Sequence, residues 1–390
     1  MKTEDTYSTG HMSRVDHSKY MTMEHLEGLL PIKDWFNVFD EGVTVISGPC
    51  SAESKDQVME TARALSGIKQ VKALRAGIWK PRTRPDSFEG VGEQGLQWLQ
   101  QAKKQTGLLL AVEIASPGHL ELALKYGIDM VWLGARTISN PFSVQQIASQ
   151  LGKTEIPVLV KNPVHPDLSL WIGALERLYQ SGIRRLAAVH RGFYPCEATH
   201  LRNIPQWEIL IELKRRYPHL PALCDPSHIA GESSYIESLS QRALDLNVDG
   251  LMIETHPHPA KALSDAKQQI TPRELELLLG KLKKRHFSSE DTQFINSLES
   301  LREKIDRLDS RMLDILAQRM KLVKEIGEYK KKKQVTILQM ERWQAILNSR
   351  IELGRKLGLS KKFLHHLLEL IHSESIQEQT EIMNKKRSKD

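Results

Sequence analysis

Short apolar runs and amphipathic helical patterns alternate along this chain from residue 43 to about residue 284. Such runs are typical of strands buried on both faces, and apolar residues spaced by three and four predict helices between them. The pattern predicts strands at 43–47, 71–76, 109–114, 130–134, 157–161, 186–190, 221–224 and 250–254, and its clearest helices at 55–65, 93–106, 168–180, 205–216 and 273–284.

Eight strand–helix units predict an α/β fold, a (β/α)8 TIM barrel over residues 31–285, because parallel strands need helical crossovers. A doubly wound open sheet is the alternative, but the even spacing of the units favours closure. Residues 1–30 would form an N-terminal extension, part of which could be an expression tag because residues 10–12 read Gly-His-Met.

The periodicity becomes purely helical after residue 286. We predict a linker at 286–296, an all-α three-helix domain at 297–382 and a basic tail at 383–390. Its first helix, 296–333, would be roughly 55 Å long at 1.5 Å per residue. A compact domain cannot bury both ends of such a helix, so we expect two chains to intertwine as a homodimer, with a tetramer as the alternative.

Composition indicates which kinds of partner and which cellular compartment to expect for this chain. Residues 288–390 hold 21 Lys/Arg against 16 Asp/Glu, but these cations lie partly on an apolar seam, so we expect no nucleic acid. No apolar run approaches a membrane span, and the first twenty residues lack a signal-peptide core. Three dispersed cysteines, Cys50, Cys196 and Cys224, favour a cytoplasmic location without membrane contact.

Charged and polar side chains stand at or just after the end of every predicted strand. In a barrel these positions share one face, where the active sites of such folds lie. The residues are Cys50, Arg75 with Lys80, Glu113, Arg136, Lys161, Arg191, Asp225 with His228, and Glu254 with Asp265.

Four of these residues have side chains that bind metals: Cys50, His228, Glu254 and Asp265. One sulfur, one nitrogen and two carboxylates fit a divalent transition metal ion, without distinguishing manganese, iron, cobalt, zinc or copper. Taken singly, each residue could be structural: a buried thiol, a loop cap or half of an ion pair. His256 and His258 are alternative ligands on a less constrained loop.

Several cations would face the same cavity, and buried cations require anionic partners. A phosphorylated carboxylic acid and a second phosphate would satisfy them, with Thr83 as a hydroxyl donor to the second phosphate. For the stretch 74–85 alone, a solvated basic loop is the alternative. The cations are Arg75, Lys80, Arg82, Arg136, Lys161 and Arg191.

The segments GPCSAE, LRAGIWKPRT, LGAR, VKN, HRG, DPSH and DGLMIETHP…ALSDA occur in this order between residues 43 and 270. They resemble the 3-deoxy-D-arabino-heptulosonate 7-phosphate (DAHP) synthases of type I beta. The related 3-deoxy-D-manno-octulosonate 8-phosphate synthases are the alternative. Their sequence at the KPRT position resembles KANRSS, so KPRT favours erythrose 4-phosphate over arabinose 5-phosphate.

The resemblance implies a role for each site residue. Arg136 and Arg191 would bind the phosphate of phosphoenolpyruvate, and Lys80 would donate or shuttle a proton. The metal ion would polarise the aldehyde. The carboxylate side of phosphoenolpyruvate falls to Arg75, Lys80 and Lys161, and the phosphate of erythrose 4-phosphate to Arg82 and Thr83.

The helical segment carries a heptad-like apolar stripe that polar residues interrupt. Arg319 falls on the stripe, and Lys330 lies about 20° from Arg319 around the helix at 100° per residue. Ser375 and Gln379 continue the apolar face of the last helix. Polar residues on a core face predict a buried polar pocket. A coiled-coil specificity device is the alternative.

The opening LREKIDRLD and the spacing of the polar residues over 297–382 resemble the all-helical chorismate mutases, which convert chorismate to prephenate. The resemblance implies that Arg302 reaches the partner's site and that Lys330 and Gln379 donate to the ether oxygen. Two positions that are usually acidic hold Gln339 and Trp343, unless Glu341 substitutes. The implied substrate-binding set is Arg302, Arg319, Lys330, Gln339, Arg342, Ser375 and Gln379. We also expect this domain to regulate the barrel through prephenate or chorismate.

Overall fold

The structure is a computed structural model that describes residues 26–40, 42–80, 88–195, 199–285 and 290–385. The chain divides into two compact units, Met1–Phe287 and Ser288–Asp390. Within the described ranges, no helix combines the length and the apolar character that a membrane span requires.

Eight parallel strands close the first unit into a barrel, in chain order and with β8 paired to β1. The predicted fold class is therefore confirmed. Three strands, β1, β5 and β7, start one residue later than predicted. For β5 and β7 the predicted first residues are Pro157 and Pro221, and proline has no N–H to donate to a neighbouring strand. The strands are β1 (Thr44–Gly48), β2 (Val71–Ala76), β3 (Leu109–Ile114), β4 (Met130–Leu133), β5 (Val158–Lys161), β6 (Leu186–His190), β7 (Ala222–Cys224) and β8 (Gly250–Glu254).

Helices connect the strands, and local sequence determines where several of them begin. The Ser54 side chain caps the first helix, and Thr271 with Glu274 forms a capping box on the last. The helices are α1 (Lys55–Ser66), α2 (Glu93–Thr106), α3 (Pro117–Lys125), α4 (Ala135–Ile138), α5 (Pro141–Leu151), α6 (Leu168–Gln180), α7 (Trp207–Arg216), α8 (Pro226–Ala230), α9 (Ile236–Asp245) and α10 (Pro272–Lys281).

Two hydrophobic clusters stabilise the barrel. One lies between the strands and the helices, and Leu26 and Leu29 of the predicted N-terminal extension belong to it. The other fills the barrel interior around Trp132, and the segment before β1 contributes Ile32 and Trp35. With its interior filled in this way, the barrel presents its strand ends as a rigid platform for chemistry.

The second unit contains three helices, as predicted: α11 (Thr292–Lys333), α12 (Met340–Lys356) and α13 (Lys361–Asn384). The first begins four residues earlier than expected, so it includes part of the predicted linker. The Asp291 carboxylate accepts a hydrogen bond from the Phe294 N–H and caps it there. At 42 residues, α11 is about 63 Å long.

Candidate functional site

A cavity of about 230 Å³ opens where the barrel strands end. Five of its lining residues are cations and two are acidic, so an anionic ligand would complement its charge. Of the predicted site residues, the cavity brings together Lys80, Arg136, Lys161, Arg191, His228 and Asp265. It is also lined by Glu113, Gly134, Ala135, Val164, Tyr194, Arg202 and Asn203.

Three of the four predicted metal ligands form a cluster. The ligand atoms of Cys50, Glu254 and Asp265 lie within 4.8 Å of one another. The fourth, His228, lies beside them with its Nε2 atom 3.8 Å from Glu254 Oε1. Its Nδ1 atom is 2.8 Å from Asp225 Oδ2, an arrangement that orients a metal-binding imidazole.

Burial sets the protonation of these ligands. It raises the pKa of the Cys50 thiol to about 12, and the nearby Glu254 carboxylate acts in the same direction. Burial also lowers the pKa of His228, which keeps the imidazole neutral at neutral pH. For Asp265, burial is the largest influence and acts to raise the pKa, but the nearby positive charges, that of Arg202 first, together outweigh burial, so the pKa is lowered.

The chemistry of this cluster fits a divalent transition metal ion. Two ligands held at about 2.0–2.3 Å from one ion are at most about 4.6 Å apart, close to the spread observed here. A bound cation would supply the charge that converts the Cys50 thiol to thiolate. His256, the alternative ligand, instead places its Nε2 atom 3.6 Å from Glu53 Oε2.

Lys80 reaches from the end of β2 to this cluster. Its Nζ atom lies 3.0 Å from Cys50 Sγ, and its side chain lines the cavity. Gly77 makes this position possible, because a Cβ at residue 77 would lie 2.5 Å from the Cys50 carbonyl oxygen and the same distance from Lys80 Cε. One ammonium group thus contacts both the ligand cluster and the space for substrate.

Two buried ion pairs support the floor of the cavity. Arg75 Nη1 is 3.1 Å from Glu254 Oε1, and Lys161 Nζ is 2.8 Å from Asp225 Oδ2. Arg75 also donates to the Cys50 carbonyl at 3.2 Å. Arg75 is not among the described residues that line the cavity. Direct contact between Arg75 and a substrate therefore stays a prediction.

Arg136 and Arg191 differ from these paired cations. None of the described carboxylates forms an ion pair with either side chain, although Arg191 donates to Asn203 Oδ1 at 3.0 Å. Burial lowers the pKa of Arg191 to about 10, which still leaves it a cation at neutral pH. Arg82 and Thr83, the predicted site of the second phosphate, lie outside the described residues.

Comparisons with known proteins agree with this geometry. Residues 31–288 match the family model of the DAHP synthetase I family. The chain belongs to the DAHP synthetase I family. The phospho-2-dehydro-3-deoxyheptonate aldolase of Thermotoga maritima is 34% identical over 241 residues, which cover 62% of this chain and 69% of that protein.

A crystal structure of the phospho-2-dehydro-3-deoxyheptonate aldolase (DAHP synthase) from Thermotoga maritima matches with a TM-score of 0.57 at 33% identity. The match covers 62% of this chain and 68% of that one. A 2-dehydro-3-deoxyphosphooctonate aldolase of Geobacter sulfurreducens is more distant, at 26% identity over 63% of this chain and 92% of that protein.

The DAHP synthase barrel also contains site residues that sequence reasoning missed. Arg202 Nη1 lies 3.0 Å from Asp265 Oδ1 and donates to Gln268 Oε1 at 2.5 Å. Gln268 in turn donates to Glu254 Oε2 at 2.6 Å. Arg202 falls in a loop well beyond the end of β6, and no sequence signal separates it from a surface arginine.

A second cavity, of about 650 Å³, lies among the three helices of the second unit. Arg319 Nη1 donates to Ser375 Oγ at 2.7 Å, and Gln379 Nε2 donates to the Ser375 carbonyl at 3.1 Å. Burial lowers the pKa of both Arg319 and Lys330. The predicted pocket residues in the lining are Arg319, Lys330, Gln339, Arg342, Ser375 and Gln379.

The lining of this cavity carries charge of one sign only, because Arg350 joins the predicted cations and its described residues include no carboxylate. The Trp343 ring stacks on the His372 ring at 3.8 Å, so an aromatic pair occupies one of the positions expected to be acidic. Glu341, the suggested substitute, is not among the lining residues.

Arg302 stands apart from this cavity. Its guanidinium pairs with Glu299 on the same helix at 2.6 Å. Seventeen residues separate it from Arg319, about 25 Å along the helix axis. It therefore cannot reach the cavity of its own chain.

Residues 301–380 match the family model of chorismate mutase type II. The chain is thus an enzyme of two parts, a transferase-type DAHP synthase barrel followed by an isomerase-type chorismate mutase domain.

Proposed function

We propose that the barrel condenses phosphoenolpyruvate, erythrose 4-phosphate and water to DAHP and inorganic phosphate. One observation carries the proposal: cations without carboxylate partners line a cavity that adjoins a Cys/Glu/Asp/His cluster. The cations match a phosphorylated carboxylic acid, and the cluster matches a metal ion that activates a carbonyl group.

Arg136 and Arg191 would hold the phosphate of phosphoenolpyruvate, since a guanidinium binds phosphate oxygens in pairs. Lys80 and Lys161 would neutralise its carboxylate, with Arg75 contributing from beneath. Held in this way, the enol carbon faces the aldehyde, forms the new carbon–carbon bond, and leaves a cationic centre to which water adds before phosphate departs.

Cys50, His228, Glu254 and Asp265 would hold the metal ion, which acts as a Lewis acid toward the aldehyde oxygen when bound. Lys80 would hold a proton at Nζ beside the same oxygen, because it contacts both Cys50 and the cavity. Asp225 would hold the His228 imidazole in place, while Arg202 contributes to keeping Asp265 ionised.

The octulosonate 8-phosphate synthases are the rival for the barrel. The 34% identity to the Thermotoga enzyme, against 26% to the Geobacter octonate aldolase, supports the heptulosonate reaction. We predict that phosphoenolpyruvate is consumed with erythrose 4-phosphate, and at least about 100-fold more slowly with arabinose 5-phosphate, when phosphate release is followed in parallel assays. Equal rates, or a preference for the pentose, would refute this assignment.

We also propose that the helical domain converts chorismate to prephenate. Arg319 and Arg342 would clamp the two carboxylates, while Lys330 and Gln379 would stabilise the negative charge that develops on the ether oxygen. Ser375 holds the Arg319 guanidinium at 2.7 Å, which preorganises the clamp. The reaction requires neither an acid–base pair nor a metal.

The rival for this domain is a non-catalytic module for dimerisation and ligand sensing. Arg319→Ala distinguishes the two hypotheses, because it removes a cation from the cavity and leaves every residue of the barrel unchanged. We predict that it lowers kcat/KM for chorismate by about 100-fold or more, while Arg355→Ala, an exposed arginine on α12 outside the cavity, changes little. Absence of conversion by the wild-type protein would favour the non-catalytic module.

We propose three further properties, namely dimerisation, feedback inhibition and a cytoplasmic location. The helical domains would pair as a homodimer, or within a tetramer, which would bring Arg302 to the partner's cavity. Prephenate or chorismate bound there would inhibit the synthase, provided that the protein has two states of different affinity. A cytoplasmic location is supported by the buried free thiols of Cys50 and Cys224.

A further inference from the structure

Two consecutive glutamines, Gln268 and Gln269, lie in the loop after β8, three and four residues beyond Asp265. Both are almost fully buried, with 1% and 2% of their surface exposed. A buried amide is costly unless its polar atoms are paired. The hydrogen-bond partners of these two side chains therefore indicate their role.

Gln268 connects the two carboxylates of the proposed metal centre. Its Nε2 atom donates to Glu254 Oε2 at 2.6 Å and approaches Asp265 Oδ2 at 3.5 Å. Its Oε1 atom accepts from Arg202, which also pairs with Asp265. The amide thus contacts one carboxylate oxygen of each acid.

Gln269 acts on the third ligand through the backbone. Its Oε1 atom accepts the Cys50 N–H at 2.9 Å, and its Nε2 atom donates to the Ser264 carbonyl at 2.9 Å. The Ser264 hydroxyl is 2.6 Å from the Ser51 hydroxyl, which ties the same loop to the residue after Cys50. Two adjacent amides therefore touch all three residues of the Cys50, Glu254 and Asp265 cluster.

We propose that Gln268 and Gln269 are positioning residues for the metal centre, an inference that rests on the proposed function of the barrel. Gln268 links the Glu254 and Asp265 carboxylates and fixes their orientation relative to each other, and Gln269 fixes the backbone that carries the Cys50 sulfur. Arg75 and Arg202 already form ion pairs with these two carboxylates. The neutral amide adds orientation without placing another positive charge beside the ion.

The test uses the full-length protein after metal removal and measures binding rather than turnover. Gln268→Met and Gln269→Met conserve side-chain length and remove the amide hydrogen bonds. Gln146→Met, at an exposed glutamine on α5, is the matched control. Cadmium titrations followed by the ultraviolet thiolate-to-metal charge-transfer band give the affinity, and the visible spectrum of the cobalt-loaded protein reports ligand geometry.

We expect the two variants to bind cadmium about 10- to 100-fold more weakly and to show altered cobalt spectra, while the control matches the wild type. Wild-type affinity and an unchanged cobalt spectrum in both variants would overturn the proposal. Wild-type protein that shows no thiolate band would instead overturn the metal centre itself, and with it the proposed function.

Gln268→Glu keeps the test decisive if a methionine variant does not fold. Glutamate has the same shape and keeps an oxygen for Arg202, but it has no N–H to donate to Glu254. We expect the cobalt spectrum of this variant to shift, and an unchanged spectrum would contradict the role of Gln268 as firmly as unchanged affinity would.

Discussion

His190 shows how the barrel holds a titratable group without charge. It ends β6, next to Arg191, and its ring packs near those of Trp171, Phe193 and Trp207. Burial lowers the pKa of His190 to about 3. The folded barrel therefore keeps this imidazole neutral over a range in which the unfolded chain takes up a proton.

This difference predicts a loss of stability in mild acid. Below the unfolded pKa of about 6.5, His190 binds a proton in the unfolded state but not in the folded state. Stability therefore decreases as the pH is lowered, until about pH 3. The free energy of unfolding of the metal-free barrel should fall between pH 7 and pH 5. We predict that this fall is about 2 kcal/mol smaller in His190→Gln than in the wild type. Urea unfolding at each pH measures it.

His219→Gln, at an exposed histidine, provides the comparison and should follow the wild type. If His190→Gln showed the same pH dependence as the wild type, the His190 side chain would not be responsible for the loss of stability in mild acid. The variant's overall stability does not decide the matter, because only the difference between the two pH values isolates the proton.

Among the elements, α11 has more apolar surface than its own chain covers. Its buried residues, Val323 and Gly327, lie in the last third of the helix, where α13 packs. Toward the other end, Ile305, Leu308 and Met312 are 50–64% exposed. They lie on one stripe, so a second copy of the helix could cover them together.

We predict that Leu308→Glu converts the dimer to a monomer at micromolar concentration, because each buried leucine side chain contributes about 1.5–3 kcal/mol and a buried carboxylate opposes association. Light scattering during size-exclusion chromatography gives the mass. Ser310→Glu, about 200° around the helix, should leave the mass unchanged.

The same variant tests whether Arg302 serves the partner. If it does, monomeric Leu308→Glu loses chorismate conversion together with its dimeric mass. A monomer with full mutase activity would show that one chain is sufficient, and a wild-type protein that is already monomeric would contradict the dimer.

At the scale of the whole molecule, we expect the two units to differ in their need for a metal ion. The barrel has a cluster of metal-binding side chains, whereas the helical cavity has cations and amides among its described residues. We predict that EDTA abolishes DAHP formation by the full-length protein, that added Mn²⁺, Co²⁺ or Zn²⁺ restores it, and that chorismate conversion is unaffected throughout. Loss of both activities, or of neither, would contradict this division.

Regulation would appear in the same assays. We expect prephenate or chorismate to slow DAHP formation by the full-length protein, and deletion of residues 288–390 to remove that inhibition. Synthase kinetics that ignore both ligands, before and after deletion, would rule it out.

Local sequence determined the fold and the general position of the site. Each strand and helix has its own periodicity and caps, and the closed order of parallel strands follows from their number and connections. This topology alone brings the ends of β1, β2, β4, β5, β6 and β8 together. The positions of Cys50, Lys80, Arg136 and Asp265 at or beyond the strand ends therefore follow from the amino-acid pattern alone.

Only the tertiary structure decided which partner each side chain takes. Cys50 and Asp265 are 215 residues apart and their side chains lie 3.3 Å from each other, while Arg75 is buried beneath the cavity that its charge suggested it would line. Gln268 and Gln269 carry no charge and belong to no motif. The role proposed for them depends on hydrogen bonds that exist only after the barrel closes. Periodicity is a local property of the chain, whereas side-chain pairing depends on distances that folding sets.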